Sequence, residues 1–249
     1  MTAVIFTGPS LPPSAARKLI DAEILPPVAQ GDIIRVVGRK PDAIGIIDGF
    51  FENVPSVWHK EILFALSNGI PVYGAASMGA LRAAELHAFG MIGVGAVFEA
   101  FRDGALEDDD EVAVVHGPAE LGYLPLSEAM VNIRCTLSDA RAGGILSEQA
   151  RLVFERVAKD MPYKLRSYDL IARRAGEGGV AASEVDRFRA WLPSGRRDAK
   201  REDAVSLVRT VSTHVAGGLG RAKPQFHFEH TTLWARAFSD AGRVGAMPR

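Results

Sequence analysis

Cysteine is nearly missing from this chain. Cys135 stands alone among 249 residues, which excludes an internal disulfide framework and suits a reducing compartment. Net charge is nearly missing too: 29 Lys and Arg against 30 Asp and Glu leave −1, so no overall basic field draws nucleic acid or anionic lipid. No apolar run reaches the roughly 18 residues that a membrane span needs, and the first eleven residues lack the basic start and long apolar stretch of a signal peptide. Neither a P-loop nor a GxGxxG falls at a strand-to-helix turn, which weakens a nucleotide-binding reading. A cytoplasmic protein without membrane, nucleic acid, metal or cofactor is the expectation. What is plentiful is apolar material, 47% of residues, enough to bury a core without disulfide or metal.

The chain is read around residues 70–86, IPVYGAASMGALRAAEL. An apolar, β-branched run ends at Tyr73, small residues crowd around Ser77, and helix formers follow from Met78. This predicts strand, tight turn and helix. Ala75-x-Ser77-x-Gly79 approximates the elbow in which small neighbours let a serine hydroxyl stand exposed on a sharp bend. The N–H groups that open the helix, at Met78 and Gly79, point at the same spot and favour an anion or oxyanion there. The plainer reading of the same small residues is close packing of helix on sheet.

In chain order, residues 2–7 read as a buried strand broken by Gly8-Pro9-Ser10, with Ser14 placed to cap a short helix. Residues 33–37 and 43–47 are two more β-rich runs, the second ended by Asp48-Gly49. A helix is expected from Pro55 to Gly69 and another over 96–102, and residues 112–115 read as a strand closed by His116. Alternating strands and helices predict an α/β fold, a mostly parallel open sheet covered by helices in a Rossmann-like manner. From Leu126 the pattern is helical, with helices expected over 126–142, 147–159, 167–174, 183–191 and 197–215. The expected regions are a sheet core with the active site at 1–125, a helical region at 126–216, and a tail at 217–249 that docks on the domain.

Ligands of open parallel sheets bind beyond the carboxyl ends of the strands. Four polar or Gly-rich strand ends, at Gly8-Pro9-Ser10, Asp48, Ser77 and His116, are therefore expected on one edge, together with His59 and Lys60. Ser77, Lys60, His59, Asp48 and Arg82 are the candidates for catalysis. Gly8, Pro9, Ser10, Met78, Gly79, Glu85, His116, Asn132 and Arg134 are the candidates for substrate binding. The competing readings are structural: Asp48 capping the Gly49 turn, His59 and Lys60 on a helix surface, and Arg82 pairing with Glu85 three residues on. The acidic run Asp108-Asp109-Asp110-Glu111 reads as a solvated loop, and Cys135, on one helix face with Val131, as core.

These same stretches carry a resemblance. FTGPSL at 6–11, the long block over 44–86, GMIGVG at 90–95, DDDEVAVVHGP at 108–118 and PLSEAMVNIR at 125–134 together resemble a TfuA-like protein. The resemblance implies a partnership with a YcaO enzyme, which activates a backbone amide with ATP and installs sulfur to give a thioamide. It further implies hydrolysis of the thiocarboxylated C-terminus of a ThiS-like sulfur carrier, with release of sulfide to YcaO. The alternative within the family is a non-catalytic activator or scaffold that docks on YcaO. In the hydrolytic reading Ser77 is the nucleophile, Arg82 and Lys60 offset the thiocarboxylate charge, and His59, Lys60 or His116 takes the serine proton. Assembly of like copies is left open by the sequence.

Overall fold

The computed structural model describes residues 3–52, 54–218 and 226–244, the side chains of the last three excepted. Contacts divide the chain into two compact units, Met1–Leu106 with Arg201–Arg249, and Glu107–Lys200. The expected regions follow pattern along the chain; contacts instead cut at 106 and 200.

The first unit is built on five parallel strands, β1 (Ala3–Phe6), β2 (Ala22–Leu25), β3 (Ala43–Ile46), β4 (Val72–Gly74) and β5 (Ile92–Gly93), in the order β2-β1-β3-β4-β5. Parallel neighbours need crossovers, which here are α1 (Pro13–Ala16), α2 (Asp32–Val37), α3 (His59–Ser67) and α4 (Met78–Leu86), followed by α5 (Ala96–Arg102). The register pairs Phe6 with Leu25 and Ile46, Ile46 with Gly74, and Gly74 with Gly93, so all five carboxyl ends share one edge. On one face Ile5, Ala43, Tyr73 and Ala75 pack with Leu207, Val208 and Val211 of α10 (Ala199–Ala216). The other face receives α3 and α4.

Three expectations are corrected. Residues 33–37 are helical, in α2: Gly31 turns into it at φ 87°, Asp32 accepts the Ala29 N–H at 2.7 Å, and the β-branched side chains are buried by tertiary contacts that outweigh their strand preference. Residues 112–115 form no strand of the sheet. A 3₁₀ turn at Asp109–Glu111 precedes them, and His116 makes only an isolated antiparallel bridge with Pro125. Ser14 lies inside α1, which begins at Pro13 after Pro12. The short half-buried strand β2 is an element that the apolar pattern did not mark.

The second unit holds α6 (Met130–Ala142), α7 (Glu148–Lys159), α8 (Tyr168–Glu177) and α9 (Ala182–Gly195) around Ile133, Leu137, Phe154, Ile171 and Phe188. Ser147 and Ser167 cap α7 and α8 by accepting the Ala150 and Leu170 N–H groups at 3.2 and 3.4 Å. The acidic run is paired, not merely solvated. Arg166, whose side chain is fully buried, holds Asp110, while Arg134 grips both oxygens of Glu111 at 2.9 Å. Cys135 is only partly buried.

Helix α4 is set against the sheet by two glycines that touch. A Cβ on Gly79 would stand 1.8 Å from Ile46 O, and one on Gly74 would stand 2.1 Å from Gly79 O. Gly79→Ala should therefore lower stability by about 3 kcal/mol through overpacking against backbone that cannot yield. Chemical denaturation of the variant against the parent checks this; an unchanged midpoint would refute the contact.

Candidate functional site

Beyond the carboxyl edge, the loop after β1 is held by Asp48, which follows β3. Its carboxylate, 1% exposed, accepts the Gly8 N–H at 2.9 Å, the Ser10 N–H at 3.0 Å and the Ser10 hydroxyl at 2.6 Å. The chains leaving β2 and β3 then pair with each other past the end of β1: Val28 N–H donates to Asp48 O at 2.9 Å and Phe50 N–H to Val28 O at 3.0 Å. The β1–β3 crevice, where such sheets usually take a ligand, is closed by the protein's own backbone. Gly8, Pro9 and Ser10 belong to the loop that Asp48 holds.

The same device recurs along the edge. Glu61 of α3, with no exposed surface, accepts the Gly31 N–H at 2.8 and 2.9 Å and the Trp58 N–H at 3.3 Å. Burial pushes its carboxyl up to about 7, against the lowering effect of those bonds. Asp203 of α10 accepts the Ala96 and Val97 N–H groups at 3.1 and 2.8 Å, and burial raises it as well.

At Ser77 the edge differs. Ala75 O accepts the Ser77 N–H at 2.7 Å across Ala76, whose φ is 66°, a γ-turn that L-residues rarely adopt. Ser77 follows at φ −130° and ψ −124° as the residue before α4, partly exposed, and its hydroxyl caps nothing. Among the described residues no carboxylate accepts from this turn. The N–H groups behind it are mostly engaged, Gly79 with Ile47 O at 3.2 Å and Ala80 with Ser77 O at 2.9 Å. Met78, whose side chain packs on Gly49, is the first residue of the helix.

His59, Arg82 and Glu85 are brought together. Glu85 accepts from Arg82 Nη1 at 2.7 Å and lies 2.7 Å from His59 Nε2, while Arg82 Nε donates to Val57 O at 3.2 Å. Partial burial raises the Glu85 carboxyl, and the His59 and Arg82 contacts more than offset it, holding the group below its ordinary range. Glu85 lies eight residues beyond Ser77, about 12 Å along the axis of α4. Among the described residues no hydrogen bond joins Ser77 to this cluster.

Lys60 turns to the C-terminal segment, donating to Thr231 at 3.3 Å with its ammonium 5.4 Å from the Phe228 ring centroid. That segment docks on the sheet unit through α11 (Thr232–Val244), whose Trp234 and Ala241 are buried with Ile34. A cavity of about 390 Å³ lies along this seam, lined by Trp58, Pro55, Ile34, Leu233, Glu61 and Arg236.

The remaining candidates belong to the other unit and are held there. His116 Nδ1 lies 2.8 Å from Gly117 O, Asn132 donates to Glu128 at 2.9 Å and Asp198 at 3.1 Å, and Arg134 is bound to Glu111 and Glu155. The expectation that His116 ends a strand on the common edge is corrected. Among the described residues no cluster of three or more His, Cys, Asp or Glu could hold a metal, and no helix is long and apolar enough to cross a membrane.

The family model described as TfuA-like protein matches residues 48–167, from the Asp48 staple through the Ser77 elbow and the His59–Glu85–Arg82 cluster to the cap of α8. TfuA-like sequence thus covers 120 of the 249 residues. The similarity points to backbone thioamidation and to YcaO enzymes, the setting in which TfuA-like proteins occur. No curated protein matches the chain.

Glu61 is the residue that pattern reading missed. Its signal was an acid beside Ile62 on the buried face of α3, in the first turn, where a carboxylate can reach N–H groups. Its folded value near 7 lies above the ordinary 4.5, so its contribution to stability is full below pH 4.5 and is lost as pH rises through about 7. Asp32 and Arg35 on α2 and Arg236 and Asp240 on α11 are the other charges around it. The stability of the parent should thus fall between pH 5 and 8 with a slope of up to about 1.4 kcal/mol per pH unit, and Glu61→Gln should flatten it. Denaturation midpoints across that range decide; parallel curves for parent and variant would dismiss the linkage.

Proposed function

We propose that this protein hydrolyses the thiocarboxylated C-terminus of a ThiS-like carrier and supplies sulfide to a YcaO enzyme. The observation that carries the reading is the Ser77 turn, a partly exposed hydroxyl on a strained bend at the carboxyl edge and at the head of a nine-residue helix. Attack of Ser77 Oγ on the thiocarboxylate carbonyl forms the serine ester and breaks the C–S bond, and the serine proton leaves on sulfur as HS⁻. Water then cleaves the ester to the carrier carboxylic acid and free Ser77.

A thiocarboxylate repels nucleophiles through its own negative charge, so a cation beside it lowers the barrier. Arg82 and Lys60 are the cations of α4 and α3 that serve. His59, whose ring is oriented by Glu85 as a carboxylate orients a catalytic histidine, is the base of choice. The reaction requires that His59 reach the Ser77 hydroxyl in the bound complex, directly or through one water.

One observation favours the second reading, an activator or scaffold that docks on YcaO and recruits the sulfur donor. The N–H groups at the edge are already taken, and His59, Lys60 and Asp48 each have a partner of their own.

Ser77→Ala removes one oxygen from a turn that already favours small residues, so fold and docking should survive. Sulfide release from a thiocarboxylated carrier, followed with carrier mass, should fall by at least about 10³-fold. Thioamidation by YcaO should be restored by added free sulfide. Hydrolysis at the parental rate would remove Ser77 as nucleophile, and a failure that added sulfide does not rescue would support the activator.

A further inference from the structure

Lys60 is held from outside its own helix. One oxygen, Thr231 Oγ1, accepts from the Lys60 ammonium at 3.3 Å and from the Trp234 N–H at 3.2 Å, so it fixes the lysine and caps the start of α11 at once. Phe228 adds its ring face, 5.4 Å from the ammonium. Close by, Phe64 of α3 is gripped by Phe228, Trp234 and Phe238 at centroid distances of 5.6, 5.1 and 5.7 Å. The grip is one-sided. Trp234 is buried, but Phe238 is 48% and Leu233 63% exposed, and the seam keeps a cavity of about 390 Å³. A seam with so much unfilled space loses fewer contacts on opening than a packed core does.

We propose that residues 226–234 are a strap that competes with the anionic carrier terminus for Lys60, holding the cation when docked and yielding it to substrate. The inference rests on the function proposed above. Its chemistry is that of ranked acceptors. A hydroxyl oxygen and an aromatic face are neutral partners for an ammonium, and a carboxylate or thiocarboxylate is a stronger one. The carrier terminus can therefore displace them, whereas an uncharged peptide end cannot. The strap sets the threshold for engagement without blocking it.

Two variants and one conservative control separate holding the lysine from holding the strap. Phe228→Leu keeps apolar packing on Phe64 and removes the ring face; Thr231→Val removes the shared oxygen, and Thr231→Ser restores it. Lys60 acylation by a water-soluble succinimidyl ester, mapped by mass, should accelerate roughly two- to fivefold in Phe228→Leu and in Thr231→Val. The affinity for a ThiS-like carrier bearing its ordinary carboxylate terminus, measured by calorimetry, should tighten by a similar factor. Thr231→Ser should match the parent in both, and thermal unfolding should show that the fold is kept. Unchanged labelling of Lys60 in both variants overturns the proposal, as does faster labelling with carrier affinity unmoved. Neither readout needs turnover, so a parent that releases no sulfide would count against the hydrolysis alone.

Discussion

Everything at the carboxyl edge of the sheet answers to one constraint: backbone N–H groups that leave parallel strands for buried loops must find acceptors. An unpaired one costs about 1–3 kcal/mol. The chain meets this with carboxyl side chains brought from a distance. Asp48 serves Gly8 and Ser10, Glu61 serves Gly31 and Trp58, and Asp203 serves Ala96 and Val97. Each carboxylate ties a loop to an element remote in sequence, so the edge is cross-braced by polar contacts as firmly as the core is by apolar ones.

The bracing also decides what the edge can do. Strand ends and helix starts of this kind commonly receive phosphate, but here carboxyl oxygens of the chain itself already accept from those N–H groups. A nucleotide is disfavoured on that ground, independently of any motif. The turn at Ser77 escapes the pattern, because its N–H bonds back to Ala75 across a strained residue and no carboxylate covers it. The strain at Ala76 and the steric seat of Gly79 against Ile46 O fix where the hydroxyl stands.

Much of this was legible in the sequence where one local signal dominated. The apolar runs of β1, β3 and β4 and the small-residue turn before α4 were of that kind, as were the serines that open α7 and α8. The pattern misled where distant contacts override local preference. Ile33, Ile34, Val36 and Val37 look like a strand, yet Gly31 and Asp32 start a helix there because a crossover between parallel strands is needed. Val112 to Val115 look the same, but Asp110 and Glu111 are pinned by Arg166, Lys159 and Arg134, and Val115 pairs with Leu126 and Ser127 instead of a sheet strand. The place of Asp48 after a strand is plain from the pattern, but its bracing role is not, because its partners lie 38 and 40 residues away. The hold of Thr231 on Lys60, across 171 residues, leaves no periodic trace at all.

The first unit is assembled from the two ends of the chain, with Glu107–Lys200 inserted between them. Its sheet therefore matures out of order on the ribosome. Five strands and their crossovers emerge first, but the face bearing Ile5, Ala43 and Tyr73, which Leu11 and Ala16 cover in part, is completed only when Leu207, Val208 and Val211 arrive about a hundred residues later. The inserted helices, whose contacts are mostly between neighbours in sequence, can close in the meantime. For that interval the nascent sheet exposes part of an apolar face, and the length of the insertion sets how long the exposure lasts.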